Sequence, residues 1–440
     1  MSLRHEARAE PPVSAPSVDL DAKATHRRRI DRRWLVVRIG AVVALIAAGI
    51  FARISTGAVV PPAPVIETTV GGLACPSPGN CVAVGMTGSR DTLRTPYAAW
   101  FAGDAVTQSS PVPPTQNGDS FLSAVSCPSG AYCVAVGRQE VPAPYFGAKS
   151  AGDRPLVEVW TGSEWQLQRS TVPDGTAEAQ LAGVDCASAS SCVAVGTVAG
   201  RSGKDRVLTQ FWDGSAWKVV VLPRSRSTED PALYDVACTS PTACTAVGHR
   251  TYDLGEFLSL IAPLILQWNG DEWSFEPSAN NGNLRETELG GIACPSPQRC
   301  IAVGSEREAD GTKSPFAEVR DGASWYVLRT SDPKGTPDAE LYDVACPSPQ
   351  RCIAVGFYAK GPDARPLIQS WDGAGWTTVP APSPPGASSS VLTTIACEAP
   401  DHCLAGGIYR STSPTEHAYS ARWDGSLWTI VPMPGGIGSA

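Results

Sequence analysis

The stretch LYDVACPSPQRCIAVG, from Leu341 to Gly356, is one of seven copies of a single unit. Most copies read L-x-x-V/I-x-C, then five residues, then C-V/I-A-V-G. The first cysteines of successive copies lie 51 to 59 residues apart. So regular a period indicates a tandem array of one supersecondary unit.

A second motif, W-D/N-G-x-x-W, follows each cysteine motif after a segment of variable length. Clear copies run from Trp212 to Trp217, Trp268 to Trp273, Trp371 to Trp376 and Trp423 to Trp428. Imperfect copies begin at Trp160, at Arg320, where arginine replaces the first tryptophan, and at Trp100, where the second tryptophan is missing. The Asp-Gly and Asn-Gly pairs predict two-residue type I′ hairpin turns. In such a hairpin the two tryptophans lie on one face as diagonal neighbours.

Each unit contains four short runs of alternating apolar residues bounded by Gly, Pro, Asp and Asn, which is the pattern of β-strands. Hairpins that carry two large rings on one face need a neighbouring sheet to cover them. The sequence therefore predicts an all-β fold, a seven-bladed β-propeller over residues 70–432. Because seven complete units are present, we expect the ring to close end to end. A WD40 array fits less well, since its period is shorter and it has no place for the cysteines.

The 14 cysteines form seven pairs, and the members of every pair are six residues apart. The pairs are Cys75–Cys81, Cys127–Cys133, Cys186–Cys192, Cys238–Cys244, Cys294–Cys300, Cys346–Cys352 and Cys397–Cys403. One interpretation is a disulfide across the first hairpin of each blade, which suits an exported protein. The other is metal binding by thiolates, but zinc sites use a spacing of two to four residues and further Cys or His ligands. The sequence favours disulfides, each stabilising the fold by roughly 2.4 kcal/mol in the chain-entropy model.

The N-terminal segment predicts export. Residues 1–33 form a basic tail, which we expect to be disordered in the cytoplasm, and 34–54 are apolar except for Arg38 and Arg53. Positive charge before the span places the N-terminus inside and the propeller outside. We expect a single-pass cell-membrane protein with a transmembrane signal anchor. A cleaved signal peptide, which would make the protein secreted, stays open. A Pro-rich linker at 55–69 and a C-terminal tail at 433–440 flank the propeller.

Charge restricts the classes of partner. From residue 55 onward the chain has 25 basic and 38 acidic residues, a net charge of −13 (25 minus 38). A nucleic-acid binder normally carries a positive surface, so we expect no nucleic acid and no anionic membrane surface as a partner of the folded part.

The repeat resembles exported tandem-repeat proteins of actinobacteria and related bacteria, whose units read VSC-x5-C-x-AVG and then WNG-x-x-W. The resemblance covers about residues 70–432 and implies a disulfide-closed propeller, without an established activity for the family. The hairpin motif is also similar, more loosely, to the Asp-box turn of sialidases. In this chain, however, Asp and Gly are adjacent, the serine of that motif is absent, and no arginine cluster for a carboxylate is found.

The alternation of antiparallel strands sorts the loops between the two ends of the propeller. The end with the cysteine loops and the W-D-G turns, which we name the cysteine face, is repetitive. The opposite end, the variable face, carries segments of individual sequence at 139–153, 249–263 and 305–313, so ligand specificity is expected there. The candidate binding residues are His249, Arg250, Tyr252, Asp253 and Glu256 on the unit-four segment, and Asp235 and Asp343 on first strands.

Three functional hypotheses follow. The first is a membrane-tethered module that recognises an envelope protein or a glycan, or serves as a scaffold for one. The alternative is a carbohydrate-active enzyme that uses channel-facing carboxylates as general acid and base. No nucleophile-elbow, zincin, P-loop or EF-hand motif occurs, so the sequence assigns no catalytic residue, no cofactor and no metal, and favours a non-catalytic protein. A purely architectural envelope protein is a third hypothesis.

Overall fold

The computed structural model describes residues 67–433 except 90–91, 104, 113–117, 143–151, 201–204, 221, 223–228, 254–258, 281–284, 332, 334–337 and 412–414. These residues form 28 β-strands in seven four-stranded antiparallel sheets, and each sheet consists of four consecutive strands. The sheets are the blades of a seven-bladed propeller, which confirms the predicted all-β fold.

The strands are numbered in chain order. Blades 1 to 3 contain β1 (Glu67–Ser77), β2 (Asn80–Gly88), β3 (Thr95–Ala102), β4 (Ala105–Ser109), β5 (Ser120–Ser129), β6 (Tyr132–Val141), β7 (Gly152–Trp160), β8 (Trp165–Gln168), β9 (Thr176–Ser188), β10 (Ser191–Gly200), β11 (Asp205–Trp212) and β12 (Trp217–Val219).

Blades 4 to 7 contain β13 (Glu229–Ser240), β14 (Ala243–Asp253), β15 (Ser259–Trp268), β16 (Trp273–Glu276), β17 (Thr287–Ser296), β18 (Arg299–Arg307), β19 (Lys313–Asp321), β20 (Ser324–Leu328), β21 (Ala339–Ser348), β22 (Arg351–Lys360), β23 (Asp363–Trp371), β24 (Trp376–Val379), β25 (Ser389–Ala399), β26 (His402–Arg410), β27 (Glu416–Trp423) and β28 (Trp428–Val431).

The hydrophobic core lies between neighbouring blades. Second strands carry the C-V/I-A-V-G motif, and its apolar side chains point alternately to the two faces of the sheet. In blade 3, for example, Ala194 packs with Val157 of blade 2, whereas Val195 packs with Leu233 of blade 4. Every sheet is therefore covered on both faces by its neighbours, as the paired tryptophans require.

All seven predicted disulfides are present, one in the first hairpin of each blade. The cysteine α-carbons of each pair are 3.9 to 4.1 Å apart. Since no cysteine is free, the thiolate-metal interpretation does not apply.

The prediction of two-residue type I′ turns is wrong. Four residues separate the strands, and Trp212 pairs directly with Trp217. The Asp213 side chain causes this, because its Oδ1 accepts hydrogen bonds from the backbone N–H groups of Ser215 and Ala216, both at 2.9 Å. The two indoles lie on one face, as expected, but directly opposite each other, with ring centroids 5.7 Å apart. Gly214 has a φ of 89°, which explains the glycine of the motif.

The hairpin of blade 1 also departs from the expected alignment. Phe101 pairs with Cys81, the position that the first tryptophan takes opposite Cys192 in blade 3. Trp100 is therefore not the counterpart of that tryptophan but lies one residue before it.

The ring closes by contact between blade 7 and blade 1, each built from its own four strands. The Glu398 carboxylate of blade 7 accepts a hydrogen bond of 2.7 Å from the backbone N–H of Gly79 in blade 1. Val70 of blade 1 packs with Leu404 of blade 7 in one apolar cluster. End-to-end closure thus joins the first and last units without exchange of a strand.

The predicted tail at 1–33, the span at 34–54, the first part of the linker at 55–69 and most of the C-terminal tail lie outside the described residues. Within the part that is described, no helix is long and apolar enough to cross a membrane.

Third strands bury a polar side chain two residues before the tryptophan position in four blades: Glu158, Gln210, Glu318 and Gln369. These side chains bind the connection from the preceding blade. The Gln369 amide donates to the carbonyl of Ser331 at 2.6 Å, and the Glu318 carboxylate accepts from the backbone N–H of Ala279 at 2.8 Å.

Burial strongly raises the pKa values of the two glutamates in this set. Burial raises the pKa of Glu158 to about 8, although the backbone N–H of Val112 opposes the shift. Burial likewise raises the pKa of Glu318 to about 7, against the hydrogen bonds from Ala279 and Ser278. At this position blades 3 and 6 have glutamine, which is neutral. A protonated glutamate in blades 2 and 5 has nearly the same shape as that glutamine.

We expect the double variant Glu158→Gln/Glu318→Gln to have a higher Tm than the parent at about pH 8 and the same Tm near pH 4.5. Because the folded-state pKa values are raised, the folded protein holds more protons than the unfolded chain between these pH values. The free energy of unfolding of the parent therefore falls as pH rises, by up to about 1.4 kcal/mol per pH unit and carboxyl group.

Thermal unfolding followed by circular dichroism across this pH range, with the disulfides intact, measures the effect. Gln210→Glu is the matched control and should add the same pH dependence to blade 3. If the plots of Tm against pH were parallel for the parent and the double variant, the prediction would be contradicted.

Candidate functional site

Polar side chains of blades 4 to 6 come together in the half of the propeller that leads to the variable face. We name this group the blade 4–6 cluster; its members are Tyr234, His249, Glu288, Lys313, Glu340 and Tyr342. All six are half-buried.

The two tyrosines occupy the same position of the repeat. Each first strand has a β-bulge between its leucine, or Val70 in blade 1, and the residue two positions later, as between Leu233 and Asp235. The bulge residue is Tyr234 in blade 4, Tyr342 in blade 6 and Gly290 in the intervening blade 5. The extra residue of a bulge re-aims its side chain, which is why bulges recur at functional sites.

Tyr234 and His249 form a hydrogen-bonded pair. The Tyr234 hydroxyl lies 2.9 Å from His249 Nδ1. Burial lowers the pKa of His249, whereas the negative charges of Glu288 and Asp230 act in the opposite direction. In blade 6 the equivalent pair is Tyr342 and Phe357, whose rings stack with centroids 5.7 Å apart. Only blade 4 has a tyrosine and a histidine at these two positions.

Lys313 links two blades electrostatically. Its ammonium group lies 3.2 Å from a carboxylate oxygen of Glu288 and 3.0 Å from one of Glu340 in blade 6. Burial acts to lower the pKa of Lys313, but the two carboxylates raise it above its ordinary value. Burial raises the pKa of Glu340, opposed by Lys313. Burial, with Glu340 and Glu288 nearby, raises the pKa of Tyr342 well above its ordinary range.

This arrangement offers hydroxyl, imidazole, carboxylate and ammonium groups within one sector of the ring. Perturbed titratable groups gathered at a half-buried surface are typical of functional sites. Carboxylates and tyrosine hydroxyls suit the hydroxyl groups of a sugar, and an imidazole beside a phenol suits proton transfer.

The predicted residues of the unit-four segment that the structure describes do not all lie on one side of the sheet. His249 lies on the same side of β14 as Val247, which packs against Leu289 of blade 5. Arg250 and Tyr252 point to the other side of the sheet, because side chains alternate along a strand. There the Arg250 guanidinium carbon lies 5.0 Å from the centre of the Tyr252 ring. The Asp253 side chain and Glu256 lie outside the described part of the chain.

Asp235 and Asp343 connect neighbouring blades. The Asp235 carboxylate accepts a hydrogen bond of 2.9 Å from the backbone N–H of Ile292 in blade 5. Asp343 accepts one of 2.9 Å from Ile395 in blade 7. Asp343 also packs against Gly291 of blade 5. A Cβ atom added to Gly291 would lie 3.1 Å from Asp343 Oδ1. These contacts give both carboxylates a role in blade packing.

Sequence reasoning missed Glu288 and Glu340. Each directly precedes the leucine of its first strand, where blades 1 to 3 have Thr69, Phe121 and Gln180. The sequence does show that these two glutamates depart from the repeat. Only the fold shows that they lie on either side of Lys313.

One group of potential metal ligands lies close together among the described residues: Cys75, Cys81 and Glu398. Both sulfurs belong to a disulfide, so this group does not suit a metal ion.

No protein-family model and no curated protein matches the chain. Among solved structures, a polysaccharide lyase of family PL25, an ulvan lyase bound to -[GlcA(1-4)Rha3S]-, is similar with a TM-score of 0.54 at 10% identity, over 84% of this chain and 97% of that one. The BP39L lectin from Burkholderia pseudomallei is similar with a TM-score of 0.52 at 13% identity, over 83% of this chain and 100% of the lectin. At such low identity the likeness shows the propeller fold alone.

We expect Asp235→Ala and Asp343→Ala each to lower the stability of the protein by about 1–3 kcal/mol, because a buried N–H of the next blade loses its acceptor. Ligand capture should persist. Thermal unfolding and a binding assay on the same samples measure both effects, with Asp271→Ala, at an exposed turn, as the control. Loss of ligand capture at unchanged Tm would instead assign these carboxylates to the ligand.

Proposed function

We propose that the protein is a membrane-tethered extracytoplasmic propeller that recognises a glycan of the cell envelope through its variable face. The observation that carries the proposal is the blade 4–6 cluster. It combines sugar-compatible hydrogen-bonding groups that the other blades lack, since tyrosine occurs at the bulge position only in blades 4 and 6 and glutamate before the first-strand leucine only in blades 5 and 6.

The cellular location in this proposal rests on two features. Seven disulfides persist in an oxidising compartment outside the cytoplasm. The basic run before the apolar segment 34–54 supports an orientation with the N-terminus in the cytoplasm. An acidic propeller is also compatible with neutral or basic envelope ligands rather than with nucleic acid.

A fractionation experiment tests the location. With a C-terminal epitope tag, we expect the full-length chain in the membrane fraction, and the tag should be digested when protease is added to intact spheroplasts. A chain that has lost its first 50 to 60 residues and leaves the cell would identify a cleaved signal instead. A protease-protected tag with free thiols would contradict export.

Glycan recognition is tested with the full-length chain, purified in detergent with its disulfides intact, on an array of bacterial envelope polysaccharides. We expect capture by the parent and a loss of at least about tenfold in affinity for Glu288→Gln and for Tyr234→Phe. Both changes keep the shape of the side chain and remove a charge or a hydroxyl. Tyr252→Phe, on the opposite side of β14, is the matched control and should bind as the parent does.

Capture of an envelope protein instead of any polysaccharide, with the same sensitivity to the two variants, would assign the cluster to a protein ligand. Binding that none of the variants weakens would remove the cluster from the site.

The second candidate function is a carbohydrate-active enzyme. The Tyr234–His249 pair favours it, because a phenol and an imidazole 2.9 Å apart are groups used for proton transfer. Polysaccharide turnover by the parent that is abolished in His249→Gln, with the fold unchanged, would establish this function. Turnover that survives the substitution would exclude this pair as the acid and base.

A further inference from the structure

One disulfide differs from the other six in what surrounds its buried sulfur. In every blade the second cysteine is buried and pairs, across the sheet, with the first tryptophan position of the third strand. The structure describes this position in all seven blades, and in six of them it is aromatic: Phe101, Trp160, Trp212, Trp268, Trp371 and Trp423. In blade 5 it is Arg320, which pairs with Cys300.

The preceding blade also reaches this sulfur, through the residue that follows its own second cysteine. At six junctions that residue is apolar and lies in one apolar cluster with the second cysteine of the next blade: Val82, Val134, Val193, Ile301, Ile353 and Leu404. At the junction of blades 4 and 5 it is Thr245, whose Oγ1 lies 3.8 Å from Cys300 Sγ. Two separate departures from the repeat therefore meet at one sulfur atom.

The Arg320 guanidinium is held against the disulfide. Its Nη2 donates to Cys300 Sγ at 3.4 Å and to the carbonyl of Pro297 at 3.0 Å. Its Nη1 donates to the side-chain carbonyl of Gln267 in blade 4, and a carboxylate oxygen of Glu276 lies 3.7 Å from the same nitrogen. The Arg320 side chain is only 7% exposed. The positive charge is thus fixed beside the sulfur and shielded from water.

Such a charge matters when a thiol attacks the disulfide. Thiol–disulfide exchange releases one sulfur as a thiolate, and the exchange is faster when that thiolate is better stabilised. A buried thiolate without a counter-charge is unfavourable, whereas a neighbouring guanidinium favours it. Cys294, the other member of the pair, is half-buried and is therefore the sulfur that a small thiol can reach. Cys300 is then the leaving group.

We propose that the Cys294–Cys300 disulfide is a thiol-exchange site, at which a low-molecular-weight thiol becomes attached to Cys294. The small thiol loses its proton to water, and its thiolate attacks Cys294 Sγ. The bond between the two cysteine sulfurs breaks, and its electron pair leaves with Cys300 Sγ, which becomes a thiolate paired with Arg320. The small thiol is oxidised as it enters the mixed disulfide and Cys300 is reduced, so the step is balanced.

The inference goes beyond the proposed recognition of glycans and does not depend on it. In the six other blades the leaving sulfur would lie between an aromatic ring and an apolar side chain, so those disulfides should stay closed. The structure thus assigns a single modification site to a protein with seven disulfides of the same spacing.

The test treats the full-length protein, in detergent and with its disulfides intact, with millimolar glutathione at pH 8. Timed samples are quenched in mildly acidic denaturant that contains N-ethylmaleimide, then digested and mapped by mass spectrometry. We expect the Cys294–Cys300 pair to open at least about tenfold faster than each of the other six pairs. Glutathione should be found on Cys294 and maleimide on Cys300.

Three variants assign the cause. Arg320→Gln keeps hydrogen-bonding groups but removes the charge, and should slow the opening of this pair by at least about tenfold. Thr245→Val introduces the residue that three other blades have at this position, so it should fold, and it should slow the opening by about two- to threefold. Arg299→Gln is the matched control and should react as the parent does. Arg299 lies on the same strand, but its side chain points to the other side of the sheet, towards Asp321.

Opening of the seven pairs at similar rates would overturn the inference, and so would glutathione on Cys300. A preference for the Cys294–Cys300 pair that survives Arg320→Gln would also overturn it. If that variant does not fold, as judged by circular dichroism, the rate of Thr245→Val decides, and an unchanged rate contradicts the inference.

Faster opening in Arg320→Gln than in the parent would show that the arginine only holds the blades together, and would likewise contradict the proposal.

Discussion

The fold depends on burying the large side chains of the hairpin between third and fourth strands, two indoles in five of the seven blades, against the preceding blade. A single four-stranded sheet with tryptophans on one face exposes a large apolar surface, and only another sheet of the same kind covers it. Each neighbouring sheet has an apolar face of its own that must be covered. Every such face is buried only when the last sheet packs against the first. In this chain Val70 of blade 1 and Leu404 of blade 7 share one apolar cluster, and the ring is closed.

Apolar packing alone does not fix how one blade is placed against the next, and polar contacts at repeated positions supply that precision. On the variable side, the backbone N–H at the start of a third strand donates to a carboxylate 25 residues later, as from Lys313 to Asp338 at 2.9 Å and from Asp205 to Asp230 at 2.8 Å. Nearer the axis, Asp235 and Asp343 bridge the first strands. These acidic residues look catalytic in a sequence, yet the backbone of the neighbouring blade is their partner.

What the sequence could predict follows from which interactions are local. The disulfides span six residues and the strands have a period of two, so spacing alone indicated the propeller and its two faces. The turn at Asp213 was mispredicted, although it too is local, because side-chain capping of two N–H groups competes with the type I′ geometry. Glu288, Lys313 and Glu340 come from three strands of two blades, and their proximity depends on a blade-to-blade contact that no spacing reveals.

In a tandem repeat the departures from the pattern carry more functional information than the pattern itself. Every blade needs its cysteines, its bulge and a covered tryptophan, so those residues explain stability in all seven units equally. A function that is not sevenfold must come from positions where one blade differs. Tyr234 with His249 on the variable side is such a departure, because no other blade has a tyrosine and a histidine at these two positions. This departure places polar groups at a half-buried surface where blade 4 meets blade 5, so a ligand there would touch two rigid sheets and little of the protein would have to reorganise to bind it.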